Sequence, residues 1–88
     1  MTKKKFSLSE ARKIGKDLGL SWKKVDLAQF HRGLNVELEH GTRNLVTNVT
    51  DDDEILTAKI ALAHLAEFPD YYTRLDKMEK AAEKYWKP

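Results

Sequence analysis

One segment near the middle of the chain limits the fold more than any other, because apolar side chains surround it on every side when it is drawn as a helix. It runs from about residue 52 to Phe68 and is followed by Pro69. Its apolar members are Ile55, Leu56, Ala58, Ile60, Ala61, Leu62, Ala63, Leu65, Ala66 and Phe68. A helix that is apolar all round is usually buried at the centre of its domain. We therefore predict a central helix, enclosed by neighbouring helices and ended by the proline.

Three further helices are predicted from start signals, stop signals and apolar residues that recur every three or four positions. The first begins at Ser7, which forms an S-x-x-E capping box with Glu10. The second is capped by Asp26 and ends at about His40. The fourth starts at about Tyr71 and continues towards the C-terminus.

The chain contains no stretch that alternates polar and apolar residues as a half-buried strand would. The sequence therefore predicts an all-α fold, a compact four-helix domain over residues 6–88 with helix 3 (about 52–68) central. Residues 1–5 are predicted to form a basic flexible tail. With 88 residues, the chain is long enough for one small domain and no more.

The longest segment without a helical pattern runs from Gly41 to Thr50. We expect its apolar residues, Leu45, Val46 and Val49, to turn inward, and Thr50 to cap helix 3. The acidic residues 51–54 then fall in the first helical turn, where the helix dipole favours negative charge. A calcium loop is disfavoured because the alternating ligand spacing and the central glycine are missing.

Composition excludes several classes of protein. There is no cysteine, so disulfides, thiolate metal sites and cysteine nucleophiles are excluded. No apolar run approaches the roughly 20 residues that span a bilayer, and the N-terminal residues lack the apolar stretch of a signal peptide. We therefore expect a cytoplasmic protein that does not associate with membranes.

The formal net charge of +2 is unevenly distributed. Residues 1–34 carry a net charge of +6, residues 35–68 carry −5, and residues 69–88 carry +1. The basic third suggests nucleic-acid binding as a lesser alternative function, through Lys3, Lys4, Lys5, Arg12, Lys13, Lys16, Lys23 and Lys24. The other interpretation is a solvated helix face, because no base-stacking aromatic residues are interleaved with these cations.

Two Glu/His pairs are the chemically most specific feature. Glu37 and His40 are three residues apart at the end of helix 2, and His64 and Glu67 are three apart on helix 3. Two imidazoles and two carboxylates suit a single transition metal such as zinc, iron or manganese. Alternatively, His64 donates to Glu37 and His40 donates to Glu67, which would join the two helices without any metal. A catalytic acid/base pair is the third interpretation.

Aromatic residues follow Pro69 and recur near the C-terminus. If exposed, Tyr71, Tyr72 and Trp86 would form a patch that binds a partner. In the other interpretation, the tyrosine rings close the bottom of the core with their hydroxyl groups at the surface.

Four motifs resemble those of a known family. They are ARKIG (residues 11–15), GLNVELEHG (33–41), TNVTDD (47–52) and TAKIALAHLAEFPDYY (57–72). The chain is similar to a group of short bacterial, archaeal and phage proteins catalogued only as a domain of unknown function, from about Phe6 to Glu83. The resemblance implies a small helical domain from a prokaryote or phage. It implies no activity and no site residues.

The function that the sequence favours is a non-enzymatic interaction module with an unidentified protein partner. No catalytic residues and no cofactor are predicted, because the chain has no convincing nucleophile and no glycine-rich phosphate loop. The alternative is a metal-binding domain that uses the Glu/His pairs. The oligomeric state is left open.

Overall fold

A computed structural model of the chain describes residues 5–86. Its four α-helices are α1 (Leu8–Asp17), α2 (Leu27–Glu37), α3 (Glu54–Glu67) and α4 (Tyr71–Trp86), and a 3₁₀ turn (Leu38–His40) directly continues α2. The described part of the chain contains no β-strand. The predicted all-α, four-helix fold is confirmed. The first four residues of the predicted basic tail lie outside the described residues.

Local sequence signals determine where the helices begin. Ser7 and Glu10 form the predicted capping box at α1, with hydrogen bonds of 3.0 and 3.1 Å. Asp26 caps α2 by accepting a hydrogen bond from the Gln29 backbone N–H at 2.9 Å. The predicted cap of α3 is wrong, because Asp53 rather than Thr50 accepts from the first turn.

The cap of α3 moves because the chain is not yet helical at the predicted position. Asp51 and Asp52 have positive φ angles of 52° and 61°, a conformation that interrupts any helix starting before them. The first residue after this interruption is Asp53, whose side chain accepts from the Leu56 N–H at 2.8 Å. Thr50 is fully buried instead, and its hydroxyl oxygen accepts from the Asp52 N–H.

The core forms where α2 meets α1, α3 and α4. Its members are Phe6, Ala11, Ile14, Phe30, Leu34, Leu38, Ala58, Ala61, Leu65 and Tyr72. Gly33 of α2 lies against the Tyr72 ring and Ala61, and a Cβ atom at this position would overlap the ring. The absence of a side chain at Gly33 is therefore what lets α4 approach α2 closely.

Helix α3 contacts the other three helices but is not enclosed by them. Its buried side carries the small residues Thr57, Ala58 and Ala61, which allow close helix packing. Ile55 and Leu56 are exposed at its N-terminal end. The expectation that this helix is buried all round is therefore wrong, because three neighbouring helices cover only part of its circumference.

The loop between the 3₁₀ turn and α3 also differs from the prediction. Leu45, Val46 and Val49 point outward, and Val46 is 92% exposed. Polar contacts at the base of the loop determine its path: the Thr42 N–H and hydroxyl donate to the Asp52 carboxylate at 2.8 and 2.7 Å. Because these contacts hold the two ends together, the apolar residues between them do not reach the core.

Within residues 5–86, no helix combines the length and the apolar character needed to cross a bilayer.

Candidate functional site: the Glu37 cluster and the exposed half of helix α4

A buried polar cluster joins three helices around Glu37, the last residue of α2. The Glu37 side chain is 4% exposed, and its Oε2 atom lies 2.9 Å from Nδ1 of His64 on α3. The Tyr72 hydroxyl on α4 donates to the same oxygen at 2.7 Å. Nδ1 of His64 also lies 3.2 Å from the Tyr72 hydroxyl oxygen. We call these three residues the Glu37 cluster.

The cluster satisfies a carboxylate that would otherwise be costly to bury. Removing one partner from a buried charged group leaves its desolvation cost uncompensated, and two donors offset that cost here. Burial, and secondarily the hydrogen bond to Glu37, raise the pKa of Tyr72 well above its ordinary value. Tyr72 therefore stays protonated and keeps donating throughout the neutral range.

Tyr71 covers the outer side of the cluster. Its ring stacks on the His64 ring with centroids 4.5 Å apart and planes 4° apart. It also meets the Tyr72 ring edge-on at 5.1 Å. The two neighbouring tyrosines therefore have different roles, since one packs over the imidazole and the other enters the core.

The predicted Glu/His residues do not all come together. Glu37 and His64 form the expected hydrogen bond, but His40 and Glu67 are both exposed and no hydrogen bond joins them. His40 does not project from the same side of the helix as Glu37, because the chain changes from α to 3₁₀ geometry after Glu37. Among residues 5–86, no three His, Asp or Glu side chains are grouped as a metal site requires.

The Glu37 cluster therefore offers a metal two protein ligands, one carboxylate and one imidazole. Metal sites usually use three or four protein ligands. Both groups are already hydrogen-bonded to each other and to Tyr72. The geometry favours the interpretation without a metal, and the predicted metal site of Glu37, His40, His64 and Glu67 stays a prediction.

Half of α4 forms an exposed surface. All residues from 77 to 86 are exposed, including Met78, Tyr85 and Trp86, and we call this segment the exposed half of α4. Trp86 is 79% exposed, and its ring contacts that of Tyr85 with centroids 5.0 Å apart. Of the predicted interaction residues, Trp86 is therefore available to a partner.

The position of Tyr72 contradicts both interpretations of the aromatic residues. It is 1% exposed, so it does not belong to a surface patch, and its hydroxyl group is buried on Glu37 rather than placed at the surface. Tyr71 is half-buried. No local sequence pattern indicates this role of Tyr72, because its partner, Glu37, lies 35 residues earlier in the chain.

Two shallow grooves flank α4. One is mostly apolar and is lined by Phe68, Tyr71, Arg74, Leu75 and Met78. The other is lined by Glu39, Glu79, Ala82, Glu83 and Trp86. It continues along α2 past His31, Arg32, Asn35 and Val36, because both parts share Glu39 and Glu79. The sequence signal for this groove is limited to the spacing of Glu79 and Glu83, which lie one helical turn apart.

The basic residues that the structure describes lie at the surface, and nucleic-acid binding through them stays a prediction. Arg12, Lys13 and Lys16 on α1, and Lys23 and Lys24 in the following connector, are all exposed. The aromatic residue in the connector, Trp22, packs against Phe30 with ring centroids 5.8 Å apart and lies over Gly15. The contacts of Trp22 are therefore structural ones within the domain.

Comparison with known proteins gives a family and no activity. The family described as "Protein of unknown function (DUF5661)" matches residues 11–81, which is most of the chain. No curated protein matches the sequence, and no solved structure matches it. The expected resemblance is confirmed, and the chain belongs to this family.

Proposed function

We propose that the protein is a non-enzymatic protein-binding module and that the exposed half of α4 is its binding surface. The observation that carries the proposal is the exposure of Met78, Tyr85 and Trp86 on one helix of a folded domain. Tryptophan, tyrosine and methionine are enriched at the centres of protein interfaces. A domain this small gains stability by burying such residues, and leaving three of them exposed suggests that a partner covers them.

The size of the surface fits a contact of moderate strength. Tyr85 is 78% and Trp86 is 79% exposed, so with Met78 they present on the order of 400 Å² of side-chain surface. Exposed apolar patches of a few hundred Å² are often functional in monomeric proteins. A stable interface buries about 800 Å² per partner, so these residues can supply about half of one.

The Glu37 cluster supports this function by fixing α4. Tyr72 lies in the first turn of α4 and is held by Glu37. In the same turn, the Tyr72 N–H donates to Gln29 Oε1 at 3.1 Å and Gln29 Nε2 donates to the Thr73 hydroxyl oxygen at 2.7 Å. These contacts hold the start of the helix, so its exposed half is presented in one orientation.

Site-specific photocrosslinking tests the proposal. A photoreactive amino acid replaces Ala82, which lines the same groove as Trp86, and the protein is illuminated in a nuclease-treated lysate of its source organism. We expect one discrete crosslinked protein, and a yield at least about tenfold lower when Tyr85 and Trp86 are both changed to alanine.

The matched control changes Leu45 and Val46 to serine, because these are exposed apolar residues on a different element. This variant should crosslink like the parent protein. Equal crosslinking by the Tyr85/Trp86 variant and the parent would refute the proposed surface. Circular dichroism of each variant verifies that the helices are intact.

A further inference from the structure

We infer that the partner presents a basic segment, carrying lysine or arginine together with apolar residues, to the groove between α2 and α4. This inference rests on the proposed function and specifies the partner. The groove is bordered by Glu39 from the 3₁₀ turn and by Glu79 and Glu83 from α4. Trp86 and Ala82 provide its apolar part.

The three carboxylates are exposed and available to the cations of a partner. In the described part of the chain, no ion pair or hydrogen bond involves the side chain of Glu39, Glu79 or Glu83, and all three residues are exposed. Two cations of this region are already paired with another acid: Arg32, which lines the α2 part of the groove, contacts Asp76 at 2.7 Å, and Lys80 contacts Asp76 at 3.2 Å. The border of the groove is therefore negative, although the whole chain is slightly positive.

The apolar part of the groove narrows the class of partner further. An indole ring attracts cations through its π face, and it does so more strongly than the other aromatic side chains. Lysine and arginine also have aliphatic stems that pack on surfaces such as Ala82 and Val36 while their charged ends reach carboxylates. A basic segment uses the ring, the aliphatic surface and the carboxylates together. An acidic segment or an anionic lipid surface would be repelled.

The length of the groove sets the length of the segment. From His31 to Glu39 the chain advances by eight residues, and from Glu79 to Trp86 by seven. At about 1.5 Å per helical residue these stretches measure roughly 12 and 10 Å. About four residues of extended chain follow either of them.

Peptide binding provides the test. The probe is a fluorescein-labelled, end-capped octapeptide of alternating lysine and leucine, and its counterpart carries glutamate in place of lysine. Fluorescence anisotropy is measured with the full-length protein at 50 and 300 mM NaCl. We expect binding of the lysine peptide only, and weaker binding at the higher salt concentration because ions screen exposed charges.

Charge-neutral variants identify the groove. Glu79→Gln and Glu83→Gln together should weaken binding about 2- to 25-fold, since each exposed ion pair contributes a factor of roughly 1.5 to 5. Glu67→Gln is the matched control, an exposed glutamate at the end of α3 outside the groove. It should bind the peptide like the parent protein.

The results separate the inference from the proposed function. If Trp86→Ala abolishes peptide binding but the two glutamine changes do not, the basic character of the partner is refuted and α4 remains the binding surface. If none of these variants alters peptide binding, and the Tyr85/Trp86 variant also crosslinks normally, both proposals are refuted. A dimer in sedimentation velocity that Trp86→Ala converts to a monomer would make a second copy of this chain the occupant, and would also overturn the inference.

Discussion

Replacing Tyr72 with phenylalanine tests the central packing argument directly. The change removes one oxygen atom, and with it the 2.7 Å hydrogen bond to the Glu37 carboxylate. The ring stays in its place against Gly33, so the apolar packing of α4 on α2 is preserved. The His64 contact to Glu37 remains as well. The measured loss of stability therefore reports the hydroxyl group alone.

The expected loss is a substantial part of the total stability. A hydrogen bond to a charged group contributes about 1.5–3 kcal/mol. A chain of 88 residues has a free energy of unfolding of about 4–13 kcal/mol. With a urea dependence near 1 kcal/mol per molar, the midpoint of urea unfolding should fall by roughly 1.5–3 M. The slope of the transition should not change, because the same surface is exposed on unfolding.

Tyr71→Phe is the matched control for this measurement. Tyr71 is the adjacent residue on the same helix, is half-buried, and has no hydrogen bond from its hydroxyl group within residues 5–86. Loss of the Tyr71 hydroxyl group should change the free energy of unfolding by less than about 0.5 kcal/mol. Unfolding of the two variants at the same urea concentration would show that the Tyr72 hydroxyl group does not stabilise the buried Glu37 carboxylate.

Three further predictions concern pH, packing and the exposed loop. Above pH 10 the parent protein should lose stability faster than Tyr72→Phe, by up to about 1.4 kcal/mol per pH unit. The cause is that the unfolded chain releases a tyrosine proton, which the raised pKa of Tyr72 retains in the folded state, so the stabilisation is complete below pH 10 and is lost as the pH rises. Urea midpoints of the two proteins that change in parallel from pH 9 to 11 would contradict this prediction. Gly33→Ala should destabilise by about 1–3 kcal/mol in thermal unfolding, because the added Cβ overlaps the Tyr72 ring; a stabilised variant would show that α4 can move away. Val46→Ser should leave the free energy of unfolding in urea within about 0.5 kcal/mol of the parent value, and a loss above about 1 kcal/mol would indicate that Val46 is buried.

The parts of the fold that were predicted correctly are those determined by neighbouring residues. The Ser7–Glu10 capping box and the Asp26 cap depend on groups three residues apart, and both are present. Helix α3 ends at Glu67, Phe68 is its C-cap, and Pro69 comes next, as expected for a residue that cannot continue a helix. Short-range chemistry of this kind can be read from one sequence without knowing how the chain packs.

The errors arise where residues distant in sequence decide the outcome. The hydrogen bonds from Thr42 to the Asp52 carboxylate keep Val46 out of the core, although the apolar side chain of Val46 predicts burial. Tyr71 and Tyr72 are identical in sequence terms, but the gap left by Gly33 admits only the second ring. Likewise, the carboxylate that accepts from Tyr72 belongs to α2, and no local pattern connects the two.

The cluster and the binding surface are connected through α4 itself. Glu37 is buried, and a buried charged group needs hydrogen-bond partners. The first turn of α4 must therefore lie where the Tyr72 hydroxyl group reaches the Glu37 carboxylate. That requirement fixes the start of the helix, and a continuous helix transmits its direction to Trp86 at the other end. Weakening the cluster should therefore lower the yield of the Ala82 crosslink, although no residue of the binding surface has changed. If Tyr72→Phe lowers it and Tyr71→Phe does not, the buried carboxylate serves to orient the surface as well as to join the helices.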